Sequence, residues 1–177
     1  LVAVIDLDNM ALLQSVDVST AHNVAPQFAA INPAGTHTYV AFKDYTWGAL
    51  DVVSNGTLIV IDHADWSTTE LAPPTTADGN KVGFLSWIDG LLYYGRKNLA
   101  STDSVSVYDP ANSQWSTIDV GVSQSGGIVG SPDGTRLYVY DSSDDDVHIL
   151  DAQGAAVGDA IVVDAASFGH KVLVTPW

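Results

Sequence analysis

SPDGTRLYVYD, residues 131–141, couples a tight turn to an alternating strand, and this pattern recurs along the chain. NPAGTHTYVAF repeats it at residues 32–42, and the terminal TPW, residues 175–177, begins it again at Pro176. Pro132 and Pro176 stand 44 residues apart. Forty-four residues before Pro132 lies Ile88, in SWIDGLLYYG, which reads as the same turn with its proline replaced. Another 55 residues back is Pro33, one repeat plus an insertion of 11. A period in the low forties, with four short strands per period, is the signature of a β-propeller.

A second ladder runs in step with the first. Val4-Ile5-Asp6, Val60-Ile61-Asp62, Val107-Tyr108-Asp109 and Ile149-Leu150-Asp151 each join an apolar pair to an aspartate, and the aspartates are 56, 47 and 42 residues apart. The apolar pair belongs to a buried strand. The aspartate is expected to cap the following turn by accepting from the backbone N–H two residues on.

Composition sets the outer limits. The 177 residues suffice for a full core. Runs such as THTYVAF, TLIVID, SVSVYD and RLYVYD alternate with period two, and helical periodicity is scarce, so the class is all-β. No run reaches the roughly 18 apolar residues of a membrane helix, so no membrane insertion is expected. Six basic against 21 acidic residues give a net charge of −15. Nucleic acid is therefore not an expected partner, since phosphate neutralisation needs a Lys/Arg surface. With no cysteine, disulfides, thiolate metal sites and covalent haem attachment are excluded. The chain begins inside a strand-like run, LVAVID, without an initiator Met or a signal peptide. That leads to the expectation of a processed product or a portion of something longer.

Lettering the strands of a blade A (innermost) to D (outermost), residues 1–6 read as a C strand and 15–18 as a D strand. Three complete four-stranded antiparallel blades follow. The first has strands at 27–31, 38–42, 57–61 and 68–71; the second at 82–87, 91–95, 104–108 and 116–120; the third at 127–130, 136–140, 147–150 and 160–163. One further A strand is expected at 170–174. The blades thus occupy residues 24–73, 80–120 and 125–164, flanked by partial blades at 1–20 and 168–177. Asp89-Gly90 and Asp133-Gly134 suit the A–B hairpin, and Asn55-Gly56 precedes a C strand. Closing a ring from these pieces would leave strand B of the split blade missing. The expectation is part of a longer propeller; a four-bladed ring with an incomplete blade and assembly with another chain are the alternatives.

The segment SPDGTRLYVYDSSDDDVHILDAQGAAVGDAIVV, residues 131–163, resembles one unit of the YVTN family of β-propeller repeats. NPAGTHTYVAF with GTLIVID follows the same pattern and keeps Tyr39-Val40. The second blade departs from it and resembles a kelch unit, with Tyr108-Asp109-Pro110 and Trp115. The resemblance implies an exported, cell-surface or periplasmic protein acting as a binding module, or a propeller of a periplasmic redox enzyme that holds copper or haem. In such repeats a Pro-His pair often opens strand A, six residues before the turn proline. Here Gly169-His170 precedes Pro176, Pro26-Gln27 precedes Pro33, and Gly126 precedes Pro132.

Candidate chemistry is sparse. His170 at the start of an innermost strand and His22 in the loop before another could meet at the channel mouth as metal ligands. The alternative is hydrogen-bonded loop histidines. His37 and His63 belong to the opposite face, and His148 lies inside a C strand. Asp141, Ser143 and Asp145 alternate like a calcium loop, yet Asp146 stands where glycine and Ala152 where glutamate would be needed. The bland reading is a solvated B–C turn. A divalent metal, calcium or copper, is the one cofactor these residues suggest. The 11-residue insertion within residues 43–56 lengthens one B–C loop and carries Asp44, Tyr45, Trp47 and Asp51. Loops on rigid scaffolds carry binding, and aromatics there suit recognition. Together with Gln27 they form the candidate ligand site. Trp66, Trp87 and Trp115 read as packing residues. No nucleophile motif or phosphate loop is present. The expected function is a non-catalytic extracellular or cell-surface binding or structural propeller, with a protein partner or additional blades. The alternative is the propeller portion of a periplasmic redox or metal-handling protein.

Overall fold

A computed structural model describes residues 1–18, 25–43, 58–71, 81–97, 104–122, 125–141 and 144–162. Among these there is no helix, and fourteen strands form four antiparallel sheets. β1 (Val2–Asp6) pairs with β2 (Ala11–Val16). The first four-stranded blade is β3 (Ala25–Ile31), β4 (His37–Lys43), β5 (Leu58–Asp62) and β6 (Thr68–Leu71). The second is β7 (Lys81–Ile88), β8 (Leu91–Lys97), β9 (Ser104–Asp109) and β10 (Gln114–Asp119). The third is β11 (Ser125–Gly130), β12 (Leu137–Asp141), β13 (Asp146–Leu150) and β14 (Ile161–Val162). Within each blade the strands pair in chain order. The expected further strand at 170–174 lies outside the described residues.

Period-two patterning explains the stacking. On β8 and β9, Tyr93, Val105 and Val107 are buried with Ile128, Leu137, Val139 and Leu150 of the third blade. The intervening Leu92, Tyr94 and Tyr108 are buried with Tyr39, Ala41 and Leu58 of the first blade. A strand sandwiched between two neighbours shows both faces apolar, which is why LLYYG reads as a continuous run. The first blade turns its other face, Val40, Ile59 and Ile61, onto Val16 and Val18 with Val2 and Val4 of the two-stranded sheet. Innermost β7 touches both β3 and β11, while among the described residues the outermost strands β6, β10 and β14 do not touch one another. Sheets that meet at their inner strands and diverge outward are propeller blades.

Aromatic packing joins the first two blades. Tyr39 meets Trp87 edge-on at 5.1 Å between ring centroids and lies 6.5 Å from Tyr108, which within its own blade lies 5.0 Å from Trp115. Trp115 and Trp87 thus pack between blades, as the sequence predicts. Trp66 lies partly buried against the core between the first blade and the two-stranded sheet and stacks on His63 at 5.6 Å.

Two glycines let the second and third blades approach. A Cβ on Gly130 would lie 2.4 Å from Ile88 Cγ2. Gly154 adopts φ +89°, and a Cβ there would sit 2.2 Å from Ile118 Cγ2. Most strand ends fall within two residues of their expected places, and two departures are larger. The second strand begins at Ala11 rather than Ser15, because the turn after Asp6 closes within four residues. The Asp89-Gly90 turn differs in kind from its proline-bearing counterparts. Both residues are left-handed, φ 48° and 77°, giving a two-residue hairpin matched to strand twist. At Asn32–Gly35 and Ser131–Gly134 a longer loop closes instead, with the glycine N–H donating to the Asn32 or Ser131 carbonyl at 2.9 Å.

Candidate functional site

The two ends of the blades are chemically different. One end holds the A–B and C–D turns. In all four C–D turns the aspartate acts as the sequence predicts, accepting from the backbone N–H two residues on. Asp8 donates to Asp6 at 2.8 Å, Ala64 to Asp62 at 2.7 Å, Ala111 to Asp109 at 2.9 Å and Gln153 to Asp151 at 2.9 Å. Asp133 caps an A–B turn by accepting from the Ser131 hydroxyl and from the Thr135 N–H and hydroxyl, which together lower its pKa to about 2. These carboxylates are spent on turns.

His63 and His37 stand at this same end, as expected. His63 Nδ1 donates to the Gly35 carbonyl at 2.7 Å, which fixes the tautomer and leaves Nε2 to accept from Thr38 Oγ1 at 2.8 Å. His63 thereby ties the C–D turn to the A–B turn. A cleft of about 410 Å³ runs between the A–B turns of the second and third blades, lined by Trp87, Ile88, Asp89 and residues 130–134.

The other end has a recurring irregularity. Each innermost strand begins with a β-bulge at the same register. Gln27 is skipped between Pro26 and Phe28, Gly83 between Val82 and Phe84, and Gly126 between Ser125 and Gly127. The skipped residue lies six positions before Pro33, Asp89 and Pro132 respectively. Register thus puts Asp89, one residue past the Ile88 aligned from the repeat spacing, in the place of the turn proline, and the spacing noted in the sequence marks a bulge. Bulges bend the strand and re-aim a side chain, and they gather beside functional sites. Innermost strands that bulge at one level form a rim.

Basic residues recur at this register. Beside each bulge the first residue of strand A pairs with the last residue of strand B. These pairs are Ala25 with Lys43, Lys81 with Lys97, and Ser125 with Asp141. Arg96 pairs with Val82 one step inside. Four of the six Lys and Arg residues therefore stand at this end of the first two blades.

Of the residues singled out from the sequence, Gln27 is the bulged residue of β3. Asp44, Tyr45, Trp47, Asp51, His22 and His170 lie outside the described residues; the loop that carries Asp44 to Asp51 starts from Lys43 on the rim. Asp141 ends β12, is 2% exposed, and pairs in register with Asp146. Asp145 sits at φ 56° and accepts from the Tyr140 hydroxyl at 2.7 Å, a bond that holds the Tyr140 pKa above its ordinary value. His148 Nε2 lies 3.0 Å from Asp146 Oδ1. Among the described residues no three His, Cys, Asp or Glu side chains gather as a metal centre needs. Lys43, Lys81, Arg96 and Lys97 have no local signature in the sequence beyond the scarcity of basic residues in so acidic a chain.

No family model matches the chain, and no curated protein matches it. Solved structures resemble it at the level of fold. Hydrazine synthase of Kuenenia stuttgartiensis superposes with a TM-score of 0.61 at 17% identity, over 84% of this chain and 45% of that one. A protein of Bacteroides uniformis described as a candidate 6-phosphogluconolactonase superposes with a TM-score of 0.61 at 16% identity, over 92% of this chain and 48% of its own. A chain of a mitotic checkpoint complex gives 0.60 at 21% identity, over 85% and 40%. This chain spans less than half the length of each. The likeness carries the propeller fold; at these identities it carries no activity.

Proposed function

We propose that this chain is a non-catalytic β-propeller binding module, exported or displayed at the cell surface, that engages its partner through the rim formed by the bulged innermost strands. The observation that supports this most is the threefold bulge at one level, next to the point where the long loop with Tyr45 and Trp47 leaves Lys43. A rigid rim with an adjoining aromatic loop is a recognition surface. The carboxylates of the opposite end are occupied by turn capping, so they offer little as general acids or bases.

Additional blades, whether from a longer chain or an associated one, belong to the same reading. Their place is the outer side of the two-stranded sheet, where Ile5 pairs opposite Leu12 and the two are 50% and 62% exposed. The repeat unit is read as YVTN-like, with a kelch-like second blade.

The test is a Tyr45→Ala/Trp47→Ala double variant. It should melt like the parent and bind the cell-surface partner at least about tenfold more weakly. Unchanged affinity would sink the reading. Protease shaving of intact cells checks display, and a protein fully protected until lysis would contradict it.

A second reading, a propeller portion of a metal-handling protein, draws on one observation. His170 lies six residues before Pro176, the spacing that marks a bulge in all three blades. Equilibrium dialysis with copper or calcium should then show uptake that His170→Ala abolishes; equal uptake by both proteins rejects it.

A further inference from the structure

We infer that the seam between the first and second blades encloses a site for an internal water molecule, built by Ser106 and Trp115 beneath the ring of Tyr94. The inference is independent of the partner role proposed for the rim.

The first blade brings Ala41, Leu58 and Val60 to this seam, with the Tyr39 ring beside them. Against these the second blade sets buried polar atoms. Trp87 Nε1, Ser106 Oγ and Trp115 Nε1 are all buried and have no hydrogen-bond partner among the described residues. Trp87 and Trp115 pack on the seam cluster. Ser106 stands directly opposite Tyr94, a member of that cluster, and therefore shares its face. Buried polar atoms are nearly always bonded to protein or to ordered water, because an orphaned one forfeits its hydration.

The repeat shows that the fold does not require a polar residue here. Ser106 lies three residues before Asp109, as Ile59 lies three before Asp62 and His148 three before Asp151. In the first blade the pair at this register is Val40 with Ile59, both buried and apolar. In the third blade His148 Nε2 has Asp146 Oδ1 3.0 Å away. Ser106 takes neither course. It and Tyr94 are both 0% exposed, and both carry a hydroxyl.

Geometry places the site. Tyr94 is on β8 and Trp115 on β10, the strands on either side of β9. Strands two places apart in a sheet are separated by about 9.5 Å. The two ring centroids are only 6.4 Å apart, so the rings lean toward each other over β9. Tyr108, two residues from Ser106 on the same face of β9, holds the indole there at 5.0 Å. Ser106 is the short side chain under these rings.

An indole N–H only donates, whereas a serine hydroxyl donates and accepts. One small group that accepts from Trp115 Nε1 and shares a bond with Ser106 Oγ satisfies both. Water has that chemistry, and a few polar partners suffice to hold it inside a protein. A larger ligand would have to part Tyr94 from Trp115, which meet edge-on.

A crystal structure of the full-length protein should show a water within hydrogen-bonding distance of Ser106 Oγ and Trp115 Nε1. In solution the Trp115 indole proton should cross-relax with water, with the sign of a long-lived internal molecule. Oxygen-17 relaxation dispersion counts such molecules. Ser106→Val adopts the apolar course of Ile59. It should melt cooperatively, hold one long-lived water fewer and lose the Trp115 cross-peak. Trp115→Phe keeps a ring without the N–H, and its internal water should leave at least about tenfold faster, the worth of one hydrogen bond. Ser116→Ala, at an exposed position next to Trp115, should behave like the parent. A Ser106 hydroxyl bonded directly to a protein atom, or a Trp115 indole proton without a water cross-peak, would overturn the site. So would an unchanged water count in folded Ser106→Val, or an unchanged residence time in folded Trp115→Phe.

Discussion

Aspartate does much of the local structural work in this chain, and at the residue scale its position decides whether it is functional surface or turn. Asp133 is the extreme case. Three donors, Ser131 foremost, stabilise its ionised form and hold its pKa at about 2 against an ordinary 3.8. Because the folded value is depressed, the contribution to stability is present above the unfolded value and is lost as pH falls from near 3.8 through about 2. An NMR titration of the Asp133 carboxyl should give an inflection near 2 in the parent. In Ser131→Ala the inflection should move up toward 3.8; an unmoved value would show that the Ser131 hydroxyl does not hold the carboxylate. The turn aspartates were legible in sequence because an Asx turn needs nothing beyond its own neighbours in the chain.

Elements become blades through contacts that no single strand specifies. β7 and β11 approach closely enough that Gly130 has no room for a side chain against Ile88. Gly130→Ala should therefore destabilise by about 1–3 kcal/mol, by overpacking. Trimming the partner tests the cause. In Gly130→Ala/Ile88→Ala the added methyl meets the space vacated, so the double variant should lose less than the sum of the single losses, measured by chemical denaturation. Strict additivity would place the cost elsewhere. The strands themselves were readable from their period-two alternation. The bulges at Gln27, Gly83 and Gly126 were visible only as a spacing of six before the turn, since an unpaired residue is defined by its partner strand.

For the whole molecule, charge and uncovered surface set the behaviour. A net charge of −15 on 177 residues repels itself, so the melting temperature should rise as sodium chloride goes from low millimolar to about 0.5 M, where the Debye length is only a few ångströms. A flat or falling curve would mean that attractive pairs dominate instead. The outer side of the two-stranded sheet, with Ile5 and Leu12 exposed, is where the proposed additional blades or partner would pack. Native mass spectrometry of the parent particle should then find a covalent mass above 18.6 kDa or a stable assembly; a lone chain of 18.6 kDa would remove that proposal.

By itself the sequence determined the all-β class, the four-stranded repeat and the capped C–D turns, because alternation and Asx turns are local and survive without knowledge of distant partners. Tertiary structure alone decided which face of each strand meets which neighbour, that Gly130 and Gly154 sit at points of close approach, and that residues 27, 83 and 126 share one level. It also gathered Lys43, Lys81, Arg96 and Lys97 at one end. Those residues are spread over more than fifty positions in the chain and have no local signature. Only cross-strand register and the stacking of blades bring them onto a common rim.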